Sequence, residues 1–487
     1  MLKDDAFLDA IRAERDDDAP RLVYADWLEE NGQAERAELI RVQCEQSRTQ
    51  LPGDQDNRLG AVATRLIEKH CDEWLGLWPA VYVQRGFLDI SCPLNAIWHL
   101  TPSHLAAPLL LDLTLSTEQP KRWDLIGLDR HPAMERVTRL SLGGSFDDHF
   151  ADLLYILGVP YPKLDTLLLS FFPGATAILR TLERLPTLRH VHLTQRYWNN
   201  PPRDDEWEAV FRSAFLENVT DLNLADQSLG PTTAALLAQS PHLRRLARLQ
   251  LGANRIGPAG AQALAASENL ALVRELDLAG NRIRDPGLYA LAASSRLANI
   301  ERLRLGDNEI SGIGLRALID SPLPRLRELS LGKNFVGCGS ITALAESTVA
   351  RQLTHLELGD DLGDDAMFVL AGAENMEVLQ KLDVAGSRIT NRAMLRIADH
   401  ARWPSLRRLR VASPRITEAG VLALMASPTG VGLRELELPM CRADAALVES
   451  LLTAAHLHHL RRLQITLDAS PMVRNEMRRR FGPRLDC

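Results

Sequence analysis

Leucine recurs at intervals of 26 or 27 residues through the C-terminal half of this chain, at Leu222, Leu249, Leu276, Leu303, Leu329, Leu356, Leu382, Leu409, Leu436 and Leu463. A fixed period of this length marks stacked repeats, each a single supersecondary unit whose apolar face only its neighbours can cover. The expected fold is therefore an elongated solenoid with a core running along its length. Such an array grows by adding units, so 487 residues need not be divided among several globular cores.

Within each unit the apolar spacing changes from 2 to 3.6. In the clearest copies Leu249 and Leu251, or Leu276 and Leu278, alternate with polar residues as in a half-buried strand; Asn254 or Asn281 follows, then Ile256 or Ile283. Asn254, Asn281, Asn308 and Asn334 should stack as a ladder whose side-chain amides satisfy backbone groups where the chain leaves the strand. Later units place Asp361, Ser387, Pro414, Cys441 and Asp468 there, so the ladder should weaken. A helical pattern follows each turn, with a leucine eight residues beyond the turn's apolar residue, as from Ile283 to Leu291. Helices are about 10 Å across and strands about 4.8 Å apart, so stacking should open the helical side and bend the array. The pattern closely resembles the ribonuclease-inhibitor type of leucine-rich repeat. That resemblance implies an α/β horseshoe with parallel strands on the concave face, helices on the convex face, and a protein as partner.

Less regular units extend upstream. Leu88, Leu113, Leu140, Leu167 and Val191 each begin a short alternating stretch, giving roughly fifteen strands in all. The expected organisation is a helical module over 1–80, a repeat array over 81–467 that is irregular to about 218 and regular from about 219, and a capping helix over 468–487.

The first segment reads as four helices. Asp5 and Asp18 are placed to cap the first two, Pro20 falls in the first turn of the second and Gly32 after its end; a third covers Ala34 to Arg48 and a fourth runs from about Leu59 to Leu75, after a turn-rich connector. Tyr24, Asp26, Trp27, Gly32 and Arg36 fall in a pattern that resembles the bacterial repeat-companion domain, a short helical module found ahead of repeat arrays. The resemblance covers about residues 3–46 and implies a bacterial binding protein, with no catalytic residue to carry over. Such a module can cap the first strand of the array or dock a second protein.

Charge restricts the partner. Residues 1–80 hold 10 Lys and Arg against 18 Asp and Glu, a net of −8, while the rest of the chain stands at +1. Nucleic acid needs a clustered basic surface and is not the expected ligand. Neither an apolar leader core nor a run of about 18 apolar residues appears, and the six cysteines form no CxxC pair, so a reduced, cytoplasmic protein without membrane contact is expected.

Two groups of residues are candidates for partner binding. On the exposed face of the regular strands, Asp221, Arg248, Glu275, Arg302, Glu328, His355, Lys381, Arg408, Glu435 and Arg462 mostly alternate in sign; lateral pairing would keep the sheet soluble, and a partner could also read Glu275, Arg302, Glu328 and His355. Beside them a column of small residues, among them Ala225, Gly252, Ala279, Gly306, Gly332 and Gly359, should leave a smooth channel. In the irregular units, Phe171, Phe172, Arg196, Tyr197, Trp198 and Trp207 fall just beyond strands, as an aromatic and arginine rim or as plugs of their own core. His190 and His192 share the exposed face of one strand and are further candidates for partner contact; no convergent third ligand is apparent for a metal. No P-loop, GxGxxG after a strand, HExxH or Ser/His/Asp constellation is present. The expected function is a non-enzymatic protein-binding scaffold without cofactor. The alternatives are a substrate-recognition adaptor whose N-terminal module docks a second protein, or, more remotely, a hydrolase.

Overall fold

The computed structural model describes residues 5–13, 17–48, 53–75, 83–105, 110–117, 125–143, 150–170, 176–193, 202–321, 323–359, 362–384, 388–443, 460, 462–467 and 485–486. Two compact units are present, Met1–Asn199 and Asn200–Cys487.

The first unit opens with five helices, α1 (Asp5–Ala13), α2 (Ala19–Glu30), α3 (Ala34–Arg48), α4 (Gly53–Lys69) and α5 (Cys71–Trp74). Their core joins Ile11, Tyr24, Ala25, Leu28, Ala37, Ile40 and Cys44 to Phe87, which lies outside the helices. Tyr24 stacks on Trp27 and on Phe87, and the Arg36 guanidinium lies 5.5 Å from the centre of the Tyr24 ring. Two local expectations fail. The Asp18 side chain makes no cap; Asp17 Oδ1 accepts the Ala19 N–H at 2.8 Å, while buried Asp18 faces Arg85. The fourth helix begins at Gly53, within the expected connector, and Trp74 belongs to a separate turn of helix because the chain breaks at His70.

Strand β1 (Val83–Gln84) forms an antiparallel hairpin with β2 (Phe87–Pro93), and β3 (Leu110–Thr117), β4 (Val137–Leu142), β5 (Thr166–Leu169) and β6 (His190–Leu193) follow in parallel. The helices are fastened to this sheet by polar contacts as well as by Phe87. Gln43 Oε1 accepts the Gly86 N–H at 2.6 Å, and Arg12 lies 3.6 Å from the buried carboxylate of Asp112, which also accepts from Thr138 Oγ1 at 2.9 Å. Desolvation pushes the Cys44 thiol up to about 12, so this cysteine is a packing residue rather than a nucleophile.

In the second unit the parallel strands are β7 (Asp221–Asn223), β8 (Arg248–Gln250), β9 (Glu275–Asp277), β10 (Arg302–Arg304), β11 (Glu328–Ser330), β12 (His355–Glu357), β13 (Lys381–Asp383), β14 (Arg408–Arg410), β15 (Glu435–Ala443), β16 (Arg462–Leu467) and β17 (Leu485–Asp486). The period leucines pair across the ladder, Leu249 with Leu276, Leu276 with Leu303 and Leu303 with Leu329. They are almost fully buried, each worth about 1.5–3 kcal/mol relative to exposure. All the strands expected from the sequence occur, as β2 to β16; β1 and β17 were not foreseen. The expected terminal helix lies outside the described residues, apart from the two residues of β17, which pair with Leu463 and Gln464.

Three polar ladders bind successive units. Asn281 Nδ2 donates to the carbonyl of Leu251 in the preceding unit at 2.8 Å and to that of its own Leu278 at 3.0 Å, while its Oδ1 accepts the Ile256 N–H. Asn254, Asn308 and Asn334 repeat this scheme. At the helix ends, Ser240, Ser267 and Ser294 donate to the carbonyls of Phe211, Ala238 and Ala265 one unit earlier. At the helix starts, Asp285 accepts from the Ser311 N–H and hydroxyl, and Asp364 does the same for Thr390. Beyond Asn334 the amide ladder lapses, as expected, and Ser413 takes over one link by donating to the Ile389 carbonyl at 2.7 Å.

Candidate functional site

The exposed face of the second unit's sheet carries two columns of charge. Strands of three residues, each centred on a buried leucine, place the first and third side chains on the same face, and in-register pairing sets equivalent residues of neighbouring units side by side. The expected first column pairs as follows. Arg248 reaches Asp221 at 2.6 Å, Arg302 bridges Glu275 and Glu328, His355 Nδ1 lies 3.6 Å from Glu328, and Arg408 lies 3.4 Å from Glu435.

The second column escaped the sequence reading, although it lies only two residues further on. Arg304 pairs with Asp277 at 3.5 Å, the Ser330 hydroxyl donates to Glu357 at 2.6 Å, and Arg410 joins Asp383 at 3.1 Å to Glu437 at 3.4 Å. Glu437 is buried and also meets Arg408 at 2.7 Å and Arg462 at 3.6 Å. A carboxylate shared among three guanidiniums holds all of them in fixed positions.

The small-residue column is interrupted at Gly252 and Gly332, so the expected smooth channel is not continuous. A Cβ on Gly332 would stand 3.0 Å from Glu357 Oε1, and one on Gly252 would stand 3.3 Å from Asp277 Oδ1. At these two positions a second-column carboxylate leans over the glycine and occupies that space, whereas Gly306 faces the Gly332 carbonyl. Asp277 also accepts the Ala279 N–H at 2.9 Å, a further reason for its tilt.

Strands β10 to β14 enclose a depression of about 320 Å³, floored by Leu303, Leu329, Leu356 and Leu382 and walled by Arg302, Arg304, Glu328, Ser330, His355, Glu357, Lys381, Asp383, Arg408 and Arg410. Three predicted site residues, Arg302, Glu328 and His355, thus come together here, with Glu275 next to them through Arg302. Burial opposes the charge of Arg302, yet Glu275 and Glu328 more than offset this and hold its pKa above the ordinary value. Burial also lowers the pKa of His355, partly opposed by Glu328 and reinforced by Lys381 and Arg302. His355 Nδ1 is in hydrogen-bond contact with Thr354 Oγ1 at 2.8 Å.

A depressed histidine takes up its proton less readily folded than unfolded. Its stabilising contribution is therefore complete above the ordinary histidine pKa and is lost as pH falls through the lower folded value. A ring-proton NMR titration should give a midpoint for His355 below the ordinary value, and Lys381→Gln should move it upward. A midpoint that ignores Lys381 would show that the two side chains do not sense each other.

The remaining candidates separate from this group. His190 and His192 are half-buried on β6 in the first unit, opposite Thr166 and Leu168. Among the described residues no three His, Cys, Asp or Glu side chains gather as metal ligands. Trp207 is corrected: it lies in the helix Asp204–Phe211, stacked on Phe211 and only 1 % exposed, so it plugs the core and offers no rim contact. Phe171, Phe172, Arg196, Tyr197 and Trp198 lie outside the described residues.

The Leucine Rich repeat family model matches residues 239–265, 270–292 and 296–318, three consecutive strand and helix units. Among solved structures, the chain is similar to an internalin C2 of Listeria monocytogenes, at 20% identity over 46% of this chain and 83% of that one, with a TM-score of 0.32. An internalin (inlF) of the same organism matches at 15% identity over 67% and 80%, with a TM-score of 0.36. A chain from the Rad7 and Elc1 complex in yeast matches at 12% identity over 85% and 90%, with a TM-score of 0.44. No curated protein matches the sequence.

Proposed function

We propose that this leucine-rich repeat chain is a non-enzymatic scaffold that holds a protein partner on the exposed strand face between β10 and β14. The observation that carries this reading is the depression there, where arginines are fixed by ion pairs above a leucine floor. Side chains already immobilised lose little freedom on binding, and arginine is among the residues that dominate protein interfaces. The helical module of residues 1–80 acts as a cap in this reading, of the repeat-companion kind. Supporting this are its core shared with Phe87 and the packing of Tyr24, Trp27 and Arg36. The alternation of short strands with helices of eight to ten residues, as over Gly312–Ile319 and Asn391–His400, supports a repeat of the ribonuclease-inhibitor type. A cytoplasmic setting accords with the scattered cysteines, which form no CxxC pair.

The test is capture from a lysate of the source cell with the whole chain as bait, beside two variants. Ser330→Trp fills the depression from a half-buried strand position; Arg316→Glu alters an exposed residue of the helix Gly312–Ile319. Proteins held by the parent and by Arg316→Glu should be reduced about tenfold or more with Ser330→Trp, at an unchanged melting temperature. An identical captured set for all three baits would overturn the assignment of this face.

A further inference from the structure

We propose that the partner docks through an acidic segment, with an aspartate or glutamate carboxylate seated on the Lys381 ammonium between His355 and Arg408; this rests on the preceding assignment of the face. Along the first column each arginine has an acidic neighbour, Arg248 with Asp221, Arg302 with Glu275 and Glu328, and Arg408 with Glu435. Lys381 breaks the pattern. Its register neighbours are His355 and Arg408, it is exposed, and among the described residues it has no ion pair. The carboxylate on its own strand, Asp383, is turned to Arg410 at 3.1 Å.

The acids around the depression are all occupied. Glu328 serves Arg302 and His355, Glu357 accepts from Ser330, and Asp383 holds Arg410. An incoming cation would have to displace one of these contacts, whereas an incoming carboxylate meets an ammonium free of any. Five Lys and Arg against three Asp and Glu line the depression, in a chain whose net charge is −7. Because the acidic excess lies in residues 1–80 and the rest of the chain stands at +1, this basic excess is a local one, and it favours an anion over a cation. Strands about 4.8 Å apart bring the His355 ring and the Arg408 guanidinium within reach of the same carboxylate. A nucleic acid strand would need a continued basic track, and the next acids, Glu435 and Glu437, interrupt it.

The test uses the purified full chain and three fluorescein-labelled peptides of about twelve residues in which alanine alternates with glutamate, glutamine or lysine, with a single-stranded oligodeoxynucleotide of equal length as a fourth probe. Fluorescence anisotropy at low salt should show the glutamate peptide binding about tenfold or more tightly than the glutamine peptide, and the lysine peptide not at all. Lys381→Glu should abolish that preference and Lys381→Gln should reduce it, while Arg316→Glu should leave it within about twofold. Equal binding of the glutamate and glutamine peptides, a preference that survives Lys381→Glu, or tighter binding of the oligonucleotide would overturn the inference. Failure here, with captured proteins still lost from Ser330→Trp, overturns the acidic segment alone. Capture unchanged by Ser330→Trp removes the face itself.

Discussion

Asn281→Ala should destabilise the second unit by about 1–3 kcal/mol, above the effect of an ordinary surface substitution. The side chain is wholly buried, and its amide serves the carbonyls of Leu251, Leu278 and Ala279 and the N–H of Ile256. Alanine leaves the buried Ile256 N–H without its acceptor, while the carbonyls of Leu251, Leu278 and Ala279 each lose one of two donors and keep Asn254 Nδ2, Asn308 Nδ2 and the Ala253 N–H. An unsatisfied buried group costs about 1–3 kcal/mol. Leu251 and Ile256 belong to the preceding unit, so the loss should spread to the interface between units and not remain a local fault. Chemical denaturation would show an earlier midpoint, and hydrogen exchange at Ile256 would accelerate. A denaturation curve superimposable on that of the parent would refute the structural role given to the amide ladder.

Gly86→Val should cost about 3–5 kcal/mol and loosen the helical module from the first strands. Two penalties coincide at this glycine. Its φ of +84° suits no β-branched residue, and a Cβ there would fall on Ile40 Cγ1 and 2.9 Å from Ile40 Cα, with no room for either backbone to yield. Gly32 provides the comparison, because its φ is +81° but nothing lies within 4 Å of the point a Cβ would occupy. Gly32→Val should therefore show only the backbone penalty, about 1–2 kcal/mol. Thermal melts of both variants separate the terms, and limited proteolysis should cut Gly86→Val within the first unit. Equal melting temperatures for the two variants would mean that Ile40 and the hairpin are not in tight contact, and the capping role would lose its main support.

Much of the candidate site was legible because it lies on strands. The leucine alternation assigns Glu275, Arg302, Glu328 and His355 to one face, and the repeat length sets their order along the sheet. The second column, Arg304, Glu357, Asp383, Arg410 and Glu437, carries the same period and could have been read two residues further along each unit. The serine ladder was equally available, since Ser240, Ser267 and Ser294 stand 27 residues apart. Trp207 was not legible: an aromatic beside an irregular strand has the same local sequence whether it faces solvent or core. Backbone conformation was similarly hidden. Ala253, Asp307 and Lys333 adopt positive φ before the ladder asparagines, where only Gly280 advertises it, because the buried amide holds the turn whatever residue precedes it.

The repeat by itself determined the solenoid, its strands, their register and the buried amide ladder. Each of these follows from a periodic apolar pattern that only neighbouring copies can satisfy. Tertiary structure alone decided which charges meet. Partners 26 to 29 residues apart in sequence, such as Asp383 with Arg410 or Arg408 with Glu437, are chosen by side-chain reach across strands, and the sequence offers several equivalent choices. The exposed Lys381 ammonium is the outcome of that choice. Its composition is visible in the chain, but its freedom exists only because Asp383 turns the other way.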